Sequence, residues 1–194
     1  MGKIFYMMGK SASGKDTIFK RVQEELPMLK TIVLYTTRPI REGEKDGVEY
    51  HFTDENRKRE LELAGKLIES RTYDTVHGKW TYFTADDGQI DLNKDSYLVI
   101  GTLVSYEKMK AYFGADALVP IYIEVEDGER LSRALFRERQ QEKPKYAEMC
   151  RRFLADTEDF SEENLKKCGI VRRYENQEME ACIEEIVLGI RAKL

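Results

Sequence analysis

Cysteine is scarce in this chain of 194 residues: Cys150, Cys168 and Cys182 stand at long and unequal spacings. An odd, scattered set supplies neither a disulfide framework nor a paired zinc motif, so reduced thiols and a cytoplasmic setting are expected. Long hydrophobic runs are also absent. No stretch approaches the ~18 apolar residues of a membrane span. The run from Ile4 to Met8 is too short for a secretory signal core and lacks a small-residue cleavage site. Charge of one sign is missing as well, because 32 basic and 36 acidic side chains leave a net charge of -4. Neither wholesale nucleic-acid binding nor attraction to an anionic membrane is implied. No Pro/Gly/Ser-rich linker, internal repeat or low-complexity segment divides the chain, and one domain is expected.

What the chain does contain is a core. Hydrophobic residues make up 41%, and a domain of this size buries roughly 70% of its unfolded surface. The apolar run at Ile4 to Met8 reads as a buried strand ending at Gly9. Ile18, Val22 and Leu26 recur at helical spacing between Thr17 and Pro27. Thr31 to Tyr35 reads as a second strand, Thr36 to Gly47 as a loop, and Tyr50 to Phe52 as a short strand. Asp54 is suited to cap a charged helix ending near Gly65. Lys66 to Asp74 and Trp80 to Thr84 follow as extended segments around a turn at His77 and Gly78. Tyr97 to Ile100 and Val119 to Val125 are further buried strands, separated by a helix from about Ser105 to Phe113. Charged helices are expected at 128–139 and 146–159, a short strand at Ile170 and Val171, and an amphipathic helix over 179–193. Apolar runs alternating with helices predict a parallel α/β sheet.

Gly9-Lys10-Ser11-Ala12-Ser13-Gly14-Lys15 has the G-x-x-x-x-G-K spacing of a Walker A loop, between an expected strand and an expected helix. Glycines let the backbone curl so that successive N–H groups point inward, and the helix N-terminus adds positive potential. Lys15 can then reach the outer phosphates of a bound ATP. Asp16 occupies the place where Ser or Thr usually holds magnesium, and Thr17 follows one residue, or about 100° of helix, later. Both are candidate ligands for Mg2+, which accepts carboxylate oxygens.

A second phosphate site is suggested by Thr36-Thr37-Arg38-Pro39-Ile40-Arg41-Glu42-Gly43-Glu44-Lys45-Asp46-Gly47-Val48-Glu49-Tyr50-His51-Phe52. Two guanidinium forks and a phenol are strong donors for one small dianion. This T-T-R-x-x-R-x-G-E-x-x-G-x-x-Y-x-F spacing, downstream of a phosphate loop, resembles guanylate kinases. The resemblance implies that Arg38, Arg41 and Tyr50 hold the phosphate of the acceptor, GMP, and that Glu69 of Leu67-Ile68-Glu69 reads its base. A carboxylate can accept from both the ring N–H and the exocyclic amino group of guanine, whereas adenine has no such paired donors on that edge. Within His77 to Thr84, which resembles the family's G-x-Y-Y-G-[ST] segment with an extra residue and Phe83 in place of glycine, Thr84 and either Trp80 or Tyr82 match best. Leu34 stands where the family usually has serine. His77 reads as a turn residue, since a phosphate nucleophile needs no general base.

The resemblance is dense from Ile4 to Glu69 and thins beyond. Ile100 and Thr102 stand where the family carries an acidic D-x-D segment. Arg133 and Arg137 lie four apart on one expected helix face, and Arg152 begins a match to the family's K-R-L stretch. The family places such arginines on a mobile lid against the transferring phosphoryl group. The chain is thus expected to have the P-loop kinase fold: a core of about 1–34, 97–127 and 160–194, an acceptor segment of about 35–96 and a helical lid of about 128–159. The implied activity is ATP-dependent phosphorylation of GMP with Mg2+. ATP would lie on Gly9, Ser11, Ala12, Ser13, Gly14, Lys15, Asp16 and Thr17, and GMP on Arg38, Arg41, Tyr50, Glu69, Tyr82 and Thr84. Lys15, Arg133, Arg137 and Arg152 would act on the moving group. A kinase for another nucleoside monophosphate, or a non-catalytic binding module of the same fold, remain the alternatives. No oligomeric state is implied.

Overall fold

The computed structural model describes residues 1–75 and 78–194. Its centre is strand β1 (Ile4–Met8), buried along its whole length. Parallel strands bury both faces, which is why β1 reads as a continuous apolar run. β7 (Tyr97–Ile100) and β8 (Leu118–Glu124) flank it, and β2 (Lys30–Thr31) and β9 (Arg173–Glu175) lie at the edges, giving the parallel order β2-β7-β1-β8-β9.

Side chains alternate across a strand, so β1 feeds two cores. Ile4, Tyr6 and Met8 pack with Tyr106 and Met109 of helix α3 (Leu103–Phe113) and with Leu165 of helix α6 (Glu162–Lys167). Phe5 and Met7 pack on the other side with Ile18 and Val22 of α1 (Lys15–Glu25) and with Ile183, Ile186, Val187 and Ile190 of α7 (Met179–Arg191). The result is a three-layer α/β/α sandwich whose strand order reverses at β1, and ligands bind such sheets at the carboxyl ends of the strands beside the reversal. Gly9 and Gly101 lie at those ends, where Gly101 donates its N–H to Met7 at 3.0 Å.

A smaller sheet has the order β4-β3-β6-β5, formed by β3 (Tyr35–Thr36), β4 (His51–Phe52), β5 (Leu67–Thr75) and β6 (Gly78–Ala85). Helix α2 (Glu55–Leu63), capped by the Asp54 carboxylate on Arg57 N–H, covers its own small core of Tyr35, Leu61, Phe83 and Ala85. Part of the expected His77 turn lies outside the described residues. Two more helices, α4 (Asp127–Arg139) and α5 (Tyr146–Asp159), complete the chain.

Two expected strands differ from what forms. Residues 31–35 do not make one strand: β2 and β3 belong to different sheets. Between them the Gln89 side-chain amide accepts from Val33 N–H and donates to Val33 C=O, replacing a ladder partner as the chain crosses over. The last strand lies at Arg173–Glu175 rather than at Ile170 and Val171. Ile170 is buried by packing alone and Val171 is exposed, whereas Tyr174 alone supplies the apolar side of an otherwise charged edge strand. Helix α1 starts two residues earlier than its apolar spacing indicates, directly from the glycine loop. Helix α6, capped by Ser161, was not apparent in the sequence pattern.

Gly101 is enforced by packing, since a Cβ there would lie 2.0 Å from the buried Tyr6 hydroxyl. Gly101→Ala should therefore destabilise the fold by roughly 1–3 kcal/mol, the usual cost of overpacking. A urea midpoint unchanged from the parent protein would contradict this.

Candidate active site

The loop between β1 and α1 curls as the sequence spacing requires. Ala12 (φ 62) and Gly14 (φ 84) both adopt the left-handed conformation, at a cost of ~1 kcal/mol or more for the alanine. Such alternation turns successive N–H groups to one side and makes an anion-binding concavity. A Cβ at Gly9 would sit 2.7 Å from Ile123 O, and one at Gly14 2.6 Å from Asn176 Nδ2, so neither position tolerates a side chain. Asn176 donates to Ser13 C=O at 2.8 Å and braces the loop from β9's end. Ser13 is buried with an unpartnered hydroxyl. Lys15 is partly exposed at the start of α1, 3.5 Å from the Asp16 carboxylate, and Asp16 and Thr17 both face solvent.

Helices α4 and α5 reach this loop through groups that sequence reading did not single out. Asp156 Oδ2 accepts from Ser11 N–H at 2.6 Å, and Arg130 Nη1 donates to Ser11 C=O at 3.0 Å. Arg130 is fully buried, bonded to Asp127 Oδ1 through Nε and Nη2 and stacked 4.7 Å from the Phe153 ring centroid. Lys10 also reaches Asp127, at 3.2 Å. Arg133 bonds to Glu129 and to Asn176 C=O, and Arg133, Arg137, Ala12, Gly14 and Asn176 line one cavity beside the loop. Arg152 is exposed on α5 and paired with Glu148 at 2.8 Å, a carboxylate it shares with Arg151.

Beside the smaller sheet, the buried Arg38 guanidinium forms a two-pronged pair with Glu44, at 2.7 and 2.5 Å, and lies 5.2 Å from the ring centroids of both Tyr50 and Phe52. Glu44 also accepts from Arg41 N–H. The Arg38 bond holds the Glu44 carboxyl down at about 2, against 4.5 for a free glutamate. Arg41 extends over Trp80, 6.0 Å from its ring centroid. Burial raises the Tyr50 phenol, and the groups whose charge reaches it include Arg38, Arg71 and Asp16.

In the β5–β6 pairing Glu69 stands opposite Thr84 and Arg71 opposite Tyr82. Tyr82 makes edge contacts with Tyr50 and Tyr73. Glu69 is buried and accepts from Thr84 Oγ1 at 2.8 Å. It also accepts from Arg71, two residues along the same face of β5. Arg71 continues to Thr102 Oγ1 at 2.7 Å, the hydroxyl that caps α3. Burial disfavours the Arg71 charge, but Glu69 together with the nearby Tyr6 and Tyr73 phenols leaves the guanidinium pKa raised. Strand alternation was the available signal for Arg71. Nothing in the local pattern marked Asn176 or Asp156.

The Arg38–Glu44 pair carries a pH signature. A carboxyl that is lower folded than unfolded contributes stability present above its unfolded value and lost as pH falls. The window here runs from about 4.5 down to about 2. Urea midpoints of the parent protein should fall more steeply across that window than those of Glu44→Gln; equal slopes would count against the pair.

Residues 1–85 match the family model for guanylate kinase. The guanylate kinase of Mycobacterium tuberculosis (strain CDC 1551 / Oshkosh) is 40% identical over 78 residues, which are 40% of this chain and 36% of that protein. The guanylate kinase of Salinibacter ruber (strain DSM 13855 / M31) is 36% identical over 124 residues, covering 60% of this chain and 61% of the relative. These matches therefore span between about a third and three fifths of the relatives' length. A crystal structure of guanylate kinase from Anaplasma phagocytophilum superimposes on 99% of this chain and 86% of its own, with a TM-score of 0.64 at 22% identity. This chain has the guanylate kinase fold throughout and the guanylate kinase sequence signature over residues 1–85.

Proposed function

We propose that the protein is a P-loop nucleoside monophosphate kinase that transfers the γ-phosphoryl group of ATP to GMP. The observation that supports this reading is the pairing of a left-handed phosphate loop ahead of α1 with a buried Arg38 held against the Tyr50 and Phe52 rings, both within the residues 1–85 that match the guanylate kinase family model. Donor and acceptor sites so arranged can hold two phosphates in line. An acceptor phosphate oxygen attacks the γ-phosphorus, the bond from that phosphorus to the β–γ bridging oxygen breaks, and ADP leaves. The anionic acceptor needs no general base, so the chain's task is positioning and charge compensation. Lys15 faces the donor phosphates, Arg38, Arg41 and Tyr50 the acceptor phosphate, and Arg133 and Arg137 the space beside the loop.

Magnesium belongs to this reading. It usually keeps several waters and needs only one or two carboxylates beside the substrate phosphates, and the solvent-facing Asp16 and Thr17 fit that modest demand. When bound, the ion offsets charge on the phosphate oxygens. A division into core, acceptor segment and lid follows from the same assignment, with α4 and α5 as the lid. Arg152, held by Glu148, would have to leave that partner to reach a phosphoryl group. A cytoplasmic setting is consistent with three free thiols. No described helix is long and apolar enough to cross a membrane.

Coupled assays with ATP, magnesium and GMP test the activity directly. Lys15→Ala should lower kcat by about 100-fold or more, in the range seen when one charge-stabilising donor is removed; near-parental turnover would remove the loop from the mechanism. Arg38→Ala and Arg41→Ala should raise the KM for GMP by at least about tenfold with little change in ATP affinity. An equal loss for both nucleotides would overturn the two-site assignment.

A further inference from the structure

Glu69 is not a bare carboxylate. Arg71 Nε donates to its Oε2 at 2.9 Å and Nη2 to its Oε1 at 3.3 Å, while Thr84 Oγ1 donates to Oε1 at 2.8 Å. Two carboxylate oxygens offer about four acceptor positions. Three are taken within the chain, and one remains on Oε2. Arg71 has five N–H groups, three of which go to Glu69 and Thr102. Two donors remain, one on each Nη. The guanidinium is held at three points, opposite Tyr82, whose ring meets that of Tyr50 with centroids 5.6 Å apart.

We propose that Arg71 is a specificity-determining residue that, with Glu69, forms a neutral acceptor and donor pair selecting bases with a lactam edge, one ring N–H beside one carbonyl oxygen. The inference rests on the monophosphate kinase reading above. An unpaired carboxylate would take both of guanine's donors, the ring N–H and the 2-amino group. With Oε1 already saturated, the 2-amino group finds no acceptor, and the remaining Arg71 donors instead suit a carbonyl oxygen. Guanine, hypoxanthine, uracil and thymine share that edge. Adenine and cytosine present the reverse polarity, an amino donor beside a ring nitrogen acceptor, which would set donor against donor and lone pair against lone pair. Buried groups mismatched in this way reject a ligand strongly.

The test compares kcat/KM for GMP, IMP, UMP, CMP and AMP in the intact protein, with ATP as donor. IMP should be used within about tenfold of GMP, and UMP should exceed CMP, a pair of equal size, by about tenfold or more. Arg71→Ala frees an acceptor position on Glu69, so the GMP over IMP ratio should rise by about tenfold or more. A larger parental gap between GMP and IMP, CMP used as well as UMP, or a ratio unmoved by the substitution would each overturn the proposal. Arg71→Met preserves more of the packing, and the parental ratios decide the matter if both variants misfold. Should no monophosphate be phosphorylated, the kinase reading fails by itself. Calorimetric affinities for the same five nucleotides then read the same ratios, and absence of binding by GMP and IMP alike would overturn both.

Discussion

A guanidinium withdrawn from water must keep a counter-charge, and three arginines in this protein obey that constraint. Arg38 is clamped by Glu44, Arg71 by Glu69, and Arg130 by Asp127. Breaking a buried pair by removing one partner typically costs about 3–5 kcal/mol, more than most single contacts contribute. Each pair therefore fixes the backbone on either side of it. Arg38 shapes the loop running to Glu44, Arg71 ties β5 to the start of α3 through Thr102, and Arg130 fastens α4 and α5 to the phosphate loop at Ser11.

Those tethers work because the sheet beneath them is rigid. β1 is buried on both faces and shares its carboxyl end with β7 and β8, so the loop that follows springs from a fixed platform. The left-handed conformation of Ala12 in that loop is one an unsupported chain would seldom hold. Asn176 and the backbone at Ile123 close around Gly14 and Gly9, which restricts the loop to a narrow set of shapes. The cradle is thus a product of packing as much as of glycine.

The acceptor side departs from the family pattern in a connected way. Thr102 stands where an acidic residue is expected, and its hydroxyl gives Arg71 a neutral acceptor, leaving Glu69 as the guanidinium's main counter-charge. Leu34, in place of a serine, belongs to the apolar core instead of offering a hydroxyl to a base. Together these changes leave Glu69 and Arg71 as a charge-balanced pair, where an acid at position 102 would have added a negative charge.

Most of the frame was legible in the amino-acid order. β1, the glycine loop, the α/β alternation and the TTR segment all rest on local rules: strand burial, helix spacing, turn chemistry and charge. Those rules act over a few residues, so sequence alone determined most of the elements and the position of the glycine loop between β1 and α1. It could not decide that residues 31–35 split between two sheets, because a distant side chain, Gln89, replaces the ladder at Val33. Nor could it decide that Thr84 joins Arg71 on Glu69, that Asp156 sits on Ser11, or which β5 residue stands opposite Tyr82, since each depends on a neighbouring strand or on groups most of the chain apart. Hydrogen-bond capacity is written into each residue, but only tertiary contact decides which of it is already spent within the protein and which remains for a ligand.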